Sequence, residues 1–302
     1  MDALKLPLWN PLGRWLPLGA RWRVRVVWRV VSAGRCLRVA GPAELGRWWA
    51  QMRPQISGTV SGGLVPVAEP AQVTLPEDVT WGDTRRWINA HLHCGHLAND
   101  TVSVHGVAVA HDDGAVVLLG GHGAGKSLTG LALVTGHGWR AVAGDTVLIH
   151  LSEGTPLVVG GTGAYLVRSQ ETRGWFPELR LPLSGSGAVD ISEQLSWDPR
   201  PGIPLVAVIQ VAVHGGFPRD DPMVWCDGQT ARNAWYRASG HLLDKVLDDH
   251  HADPLRLVET PELVRARIRL VRRLAASVGC GWLRGSPQRV GEAITRLIGA
   301  EE

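Results

Sequence analysis

Gly120, Gly125, Lys126 and Ser127 stand at the spacing G-x-x-x-x-G-K-[ST], between an apolar run at 115–119 and a helix-like run at 128–135. Each residue type has a reason to be there. Glycines let a loop turn its backbone N–H groups inward around phosphate oxygens with no Cβ in the way. A helix opening near Lys126 adds the positive end of its dipole. The Lys126 ammonium reaches the β- and γ-phosphates of a nucleotide, and the Ser127 hydroxyl is placed to ligate Mg2+. Gly120, Gly121, His122, Gly123, Ala124, Gly125, Lys126, Ser127 and Leu128 are therefore the expected binding segment for ATP and Mg2+. Lys126 is one of only three lysines, with Lys5 and Lys245, among 31 basic residues. His122 either touches phosphate or faces solvent.

A phosphate loop also wants an acidic residue near the metal. Asp145 follows the apolar run Ala141-Val142-Ala143, at the end of an expected strand that lies next to Ser127 in such folds. The alternative is a simple turn residue in Gly144-Asp145. Other chemistry-bearing groups carry less. His91, His93, Cys94 and His96 cluster within seven residues. Their spacing points them in different directions on a helix, which favours a helix end with surface histidines over a metal site. The acidic and histidine cluster at 248–251 reads as a solvated loop and the Ser/Gly stretch at 184–187 as a turn. Arg232, Arg237 and His241 fall at helical spacing. They offer an arginine for transferred phosphate, although a surface helix is the plainer reading.

The elements that must position these groups follow from periodicity. Residues 21–40 alternate arginine with Val and Trp, which predicts strands with a solvated arginine face and a turn at Ser32-Ala33-Gly34. A short helix is expected at 43–51, and loop with short strands at 54–80. The pattern predicts a helix over 84–97, capped by Asp83 or Thr84. Strands are expected at 102–110 and 115–119, joined by an Asp112-Asp113-Gly114 hairpin turn. Further strands are expected at 140–143, 146–150, 156–159 and 205–213, and helices at 261–277 and 288–298. Residues 1–20 read as an irregular lead-in. The expected division is 1–83, a β-rich accessory segment, and 84–302, a core bearing the glycine loop.

Composition excludes several classes. The 302 residues are 45% hydrophobic and 20% charged, with a net charge of +3, too small to imply nucleic acid or a membrane surface. The four cysteines are dispersed, so neither a disulfide framework nor a zinc module is expected. Arginines break the apolar run at 22–31, and no signal segment is visible, so a cytoplasmic, thiol-reduced protein is expected. A homo-oligomer is compatible with all of this. A motor ATPase is disfavoured, because no hhhhD segment with a following catalytic Glu is present.

Val104-His105-Gly106-Val107, the glycine loop, residues 131–133 and Gly138-Trp-Arg-Ala-Val-Ala-Gly-Asp-Thr-Val147 together resemble the HPr kinase/phosphorylase family. The likeness extends to its smaller relatives, including kinases found with lasso-peptide biosynthesis. It spans about 102–149, with a weaker echo at Arg200-Pro201-Gly202 and 205–213. The resemblance implies an α/β fold with a mixed sheet, of the HPr kinase and phosphoenolpyruvate carboxykinase type. It also implies transfer of the γ-phosphate of ATP to a hydroxyl, usually serine, of a peptide, a protein or a small molecule. Lys126 and Ser127 match the phosphate and Mg2+ ligands, His105 the active-site histidine, and Asp145 the second of two adjacent aspartates. The first of that pair, the general base, is here Gly144. The acidic residue that follows the loop serine is here Leu128. Three outcomes stay open: His105 takes the proton, Asp145 changes role, or nucleotide binding persists in an accessory or regulatory protein without catalysis.

Overall fold

The computed structural model describes residues 25–59, 63–75, 79–112, 114–182, 187–215, 223–244 and 255–299. The lead-in expected over 1–20, the loop at 248–251 and all but the last residue of the 184–187 turn lie outside them.

The chain opens with a hairpin, β1 (Arg25–Ser32) and β2 (Arg35–Pro42), then α1 (Leu45–Met52), β3 (Leu64–Pro66) and β4 (Val73–Thr74). Ser32 pairs with Arg35, and Ala33 and Gly34, at φ 45° and 75°, make the two-residue turn. Positive φ at both positions matches the right-handed twist of the strands. The four strands form a sheet of order β3-β1-β2-β4. Arg25 and Arg29 are exposed, as the alternation requires, while Val30, Leu37 and Val39 face inward; Arg35 shares the parity of Leu37 and is exposed because it stands beside the turn.

Next comes α2 (Trp81–Leu97), which starts earlier than expected. Its cap is Thr80, not Asp83 or Thr84: the Thr80 hydroxyl accepts from the Asp83 N–H at 3.2 Å. The helix is covered on both sides. Ile88 and Leu92 join the core of the small sheet, and Ala90 packs with Leu243 and Leu255. The expected surface histidines are therefore interior: His93 is 0% exposed and His96 1%. The His96 Nε2 lies 3.1 Å from the buried Ser32 hydroxyl. Periodicity gave no warning, because a helix buried on two sides has no polar face to show it.

The main sheet is built from β5 (Thr101–His105), β6 (Val107–His111), β7 (Gly114–Leu119), β8 (Arg140–Ala143), β9 (Thr146–Ser152), β10 (Thr155–Gly161) and β13 (Ile203–Val213). The helices α3 (Lys126–Gly136) and α4 (Ser169–Trp175) and a small pair, β11 (Leu166–Arg168) with β12 (Ala188–Asp190), interrupt that series. The chain ends with β14 (Val224–Trp225), α5 (Gly228–Ser239), α6 (Pro261–Ser277), β15 (Cys280–Gly285) and α7 (Pro287–Gly299). The order is β5-β9-β10-β13-β7-β6-β8, with β15 on β13 and β14 on β15. β13 runs parallel to both β7 and β15, and the other pairings of this sheet are antiparallel, so the sheet is mixed.

Both faces are covered, which explains the near-continuous apolar strands. On β7, Val116 and Leu118 meet Leu131 and Leu133 of α3 and Ile294 of α7. Val117 and Leu119 point the other way, toward Trp235 of α5 and Leu270 and Leu274 of α6. The single strand expected at 102–110 is two strands. Gly106 turns the chain between β5, beside β9, and β6, beside β7 and β8. A Cβ there would sit 2.9 Å from the Leu118 carbonyl oxygen, so only glycine fits the bend.

Candidate functional site

The glycine loop joins the end of β7 to the start of α3. Gly120, Gly123 and Gly125 have φ of 151°, 76° and 89°. Gly125 caps α3 in the left-handed region, and a Cβ on it would lie 2.3 Å from the Cβ of Val213. Its identity is thus required twice, by backbone angle and by space. The loop is stapled to the end of β13, where the Val213 N–H donates to the Ala124 carbonyl at 2.9 Å.

Lys126, 7% exposed, curls over this loop. Its Nζ donates to the Gly120 and Gly121 carbonyls at 3.0 and 3.1 Å. Burial lowers its pKa, and the Asp145 carboxylate pulls the other way. Ser127 is tied from behind: the buried Tyr165 hydroxyl donates to its carbonyl at 2.8 Å. Burial pushes the Tyr165 phenol up, so it stays a donor. The Leu128 side chain turns into the α3-side core. His122 is exposed and its Nε2 sits 2.5 Å from a guanidinium nitrogen of Arg168, at the end of β11. Arg168, which sequence reasoning did not single out, thereby stands at the mouth of the loop.

Asp145 lies in the turn between β8 and β9. Thr162 ties that turn with its hydroxyl, which accepts from the Asp145 and Thr146 N–H groups at 2.9 and 3.0 Å. Gly144 donates its N–H to the Thr162 carbonyl at 3.0 Å. A Cβ on Gly144 would fall 2.0 Å from the Ala164 carbonyl oxygen. The register of β5 on β9 sets His105 opposite Thr146, and the Gly106 N–H donates to the Asp145 carbonyl at 3.0 Å. The two side chains meet: His105 Nδ1 is 3.5 Å from Asp145 Oδ1.

His241 completes this corner. α5 stops at Ser239, so His241 leaves the helical series expected for it and lies in the following turn. Its ring stacks on His105, centroids 3.9 Å apart and planes at 30°. Arg232 and Arg237 stay exposed on α5 and do not line the cleft. Arg85 and Asn89 of α2 face Asp145 across a cleft of about 120 Å3, together with Gln55, Thr162 and His241. The Arg85 guanidinium donates to Gln55. Burial and then Arg86 lower the Arg85 pKa, against the pull of Asp145. Arg85, Gln55 and Thr162 carry no local motif. Arg85 and Gln55 reach the site through packing of the N-terminal elements on the main sheet, and Thr162 through the pairing of β10 with β9.

Among the described residues, His105, Asp145 and His241 form a cluster of metal-ligating groups, one donor atom of each within 4.8 Å of the others. The corner thus holds a buried ammonium bonded to two loop carbonyls, with a carboxylate and two imidazoles beyond it. This is equipment for holding an anion and moving a proton next to it.

The fold and site define a mixed α/β protein with a glycine loop at a parallel strand end. No protein-family model matches the chain, and no curated protein matches it. Among solved structures, the Hpr(Ser) kinase/phosphatase from Coxiella burnetii aligns at 11% identity and a TM-score of 0.33, over 66% of this chain and 95% of that one. No helix among the described residues is long and apolar enough to cross a membrane.

Proposed function

We propose that this chain is an ATP-dependent phosphotransferase of the HPr-kinase-like type, moving the γ-phosphate of ATP to a hydroxyl. The observation that carries the reading is the Lys126 ammonium inside the glycine loop, with the His105–Asp145 pair beyond it. On nucleotide binding, Lys126 exchanges the Gly120 and Gly121 carbonyls for phosphate oxygens. The loop N–H groups and the α3 N-terminus hold the β-phosphate. Ser127 and Asp145 would hold Mg2+, which when bound neutralises charge on the transferring phosphate. Arg168 is placed to close on the phosphates from the loop's outer side. The acceptor hydroxyl enters by the cleft walled by Arg85 and Asn89, and its proton passes to His105, which Asp145 orients. A space of about 120 Å3 admits one side chain or a small molecule, and the acceptor in this reading is a serine or threonine of a peptide or protein.

A second reading is a nucleotide-binding accessory protein without catalysis, favoured in sequence by Gly144. The contact with Ala164 weakens that argument. Glycine is required there by packing, so its presence does not record decay of a catalytic acid. A loose transition state relies more on positioning and charge neutralisation than on a strong base.

The test is nucleotide binding by calorimetry, followed by transfer from labelled ATP with Mg2+ to serine-containing peptides, read as a mass gain of one phosphate. Lys126→Ala should bind ATP at least about tenfold more weakly, a loss of about 1.4 kcal/mol or more. Equal binding by wild type and Lys126→Ala would refute the site.

A further inference from the structure

His241 has no part in the transfer just described, yet it is the third member of a ligand cluster. We propose that His105, Asp145 and His241 form a binding site for a borderline transition-metal dication, with Zn2+ as the type. We propose further that filling this site switches phosphoryl transfer off.

The geometry is the first support. Two ligands about 2.1 Å from a shared tetrahedral ion stand about 3.4 Å apart. His105 Nδ1 and Asp145 Oδ1 are 3.5 Å apart. The His241 ring lies against that of His105, and one donor atom of each of the three residues lies within 4.8 Å of the others.

The donor set is the second. Two imidazole nitrogens and one carboxylate suit Zn2+, Co2+ or Mn2+, whereas Mg2+ demands oxygen ligands in octahedral array. Three protein ligands leave a fourth position open. They come from three separated places, the end of β5, the β8–β9 turn and the turn after α5, and the first two are fixed by backbone hydrogen bonds. Rigid placement keeps a site formed before the ion arrives.

The surroundings set its strength. Lys126 and Arg85 both act electrostatically on Asp145. Their positive charge opposes a dication, so the site binds reversibly rather than as a structural zinc centre. An ion there takes the Nδ1 lone pair of His105 and engages the Asp145 carboxylate, which leaves the neutral ring's proton on Nε2, the nitrogen that would otherwise accept. Occupation and proton acceptance then exclude each other. The ion-binding claim needs no nucleotide; the switching claim rests on the phosphotransferase reading above.

The experiment separates the two. The full chain without nucleotide is titrated with Co2+, followed by its visible absorption, and then with Zn2+ as competitor. One equivalent of Co2+ should bind with the intense bands of a low-coordinate site and be displaced by Zn2+. His241→Ala, and His241→Gln in case the smaller residue disturbs the turn, should bind Co2+ at least on the order of tenfold more weakly. Both variants should bind ATP as wild type does. Where wild type transfers phosphate, Zn2+ should inhibit it, and whatever transfer a His241 variant retains should need at least about tenfold more Zn2+ for half inhibition. Equal Co2+ binding by wild type and both variants overturns the ion site, whatever the nucleotide result. Zn2+ binding that leaves transfer untouched overturns the switch. If ATP never binds, the phosphotransferase reading falls and the Co2+ spectra alone decide the ion site.

Discussion

Placing an aspartate at position 144 tests whether the turn is built for its glycine. The Cβ that any other residue adds would meet the Ala164 carbonyl oxygen at 2.0 Å, where ordinary contact begins at 3.4 Å. One side must therefore retreat by about 1.4 Å. Neither side is free to do so. Ala164 donates to the Pro54 carbonyl at 2.8 Å, and Gly144 to the Thr162 carbonyl at 3.0 Å. Tyr165 donates its N–H to Asp190 at 3.0 Å. Losing two such bonds costs about 1 kcal/mol each, and overpacking adds about 1–3 kcal/mol. Gly144→Asp should lose about 3–5 kcal/mol, a fall in Tm on the order of 10 °C. Gly144→Ala introduces the same Cβ without the charge and should lose nearly as much, which separates steric from electrostatic causes. Thermal and urea unfolding of the three proteins measure it. A Gly144→Asp protein with the wild-type midpoint and faster phosphoryl transfer would refute the packing argument and restore the view that a base had been lost.

Two further outcomes follow from the same turn and from α2. Thr162→Val removes the acceptor shared by the Asp145 and Thr146 N–H groups, so it should cost about 1–3 kcal/mol and weaken the hold on Asp145. Urea midpoints measure the first effect, and loss of transfer with ATP affinity kept measures the second; a silent variant would show that the turn holds itself. The pKa values of His91, His93 and His96 are lowered by burial to about 4, about 3 and about 4. Unfolded histidines titrate near 6.5, so between there and about pH 4 the unfolded chain binds more protons and stability must fall as pH drops. Urea midpoints at neutral pH and near pH 4.5 should show this, with a flatter profile in His93→Leu, and a midpoint that rose in acid would contradict the burial of these rings.

Elements whose identity rests on neighbouring residues were legible in the sequence. The arginine–valine alternation wrote the β1–β2 hairpin, and the glycine loop announced both β7 and α3. Apolar spacing marked α6 and α7 to within a residue. What escaped was set by partners distant in the chain. The run from Val102 to Ala110 is buried except for the half-buried His105, so no alternation betrays that Gly106 sends its halves to different parts of the sheet. His241 reads as part of a surface helix and Arg85 draws no notice, because their place depends on how α2 and α5 dock, and docking leaves no local signature. Position 144 carries the sharpest form of this problem. A residue missing from a motif suggests lost chemistry only where the position has room for it. Here the Ala164 carbonyl already fills the space a side chain would need. The absent carboxylate is thus a property of the 162–165 backbone, and on the proposed phosphotransferase reading the proton-accepting role falls to the imidazole that the β5–β9 register sets beside Asp145.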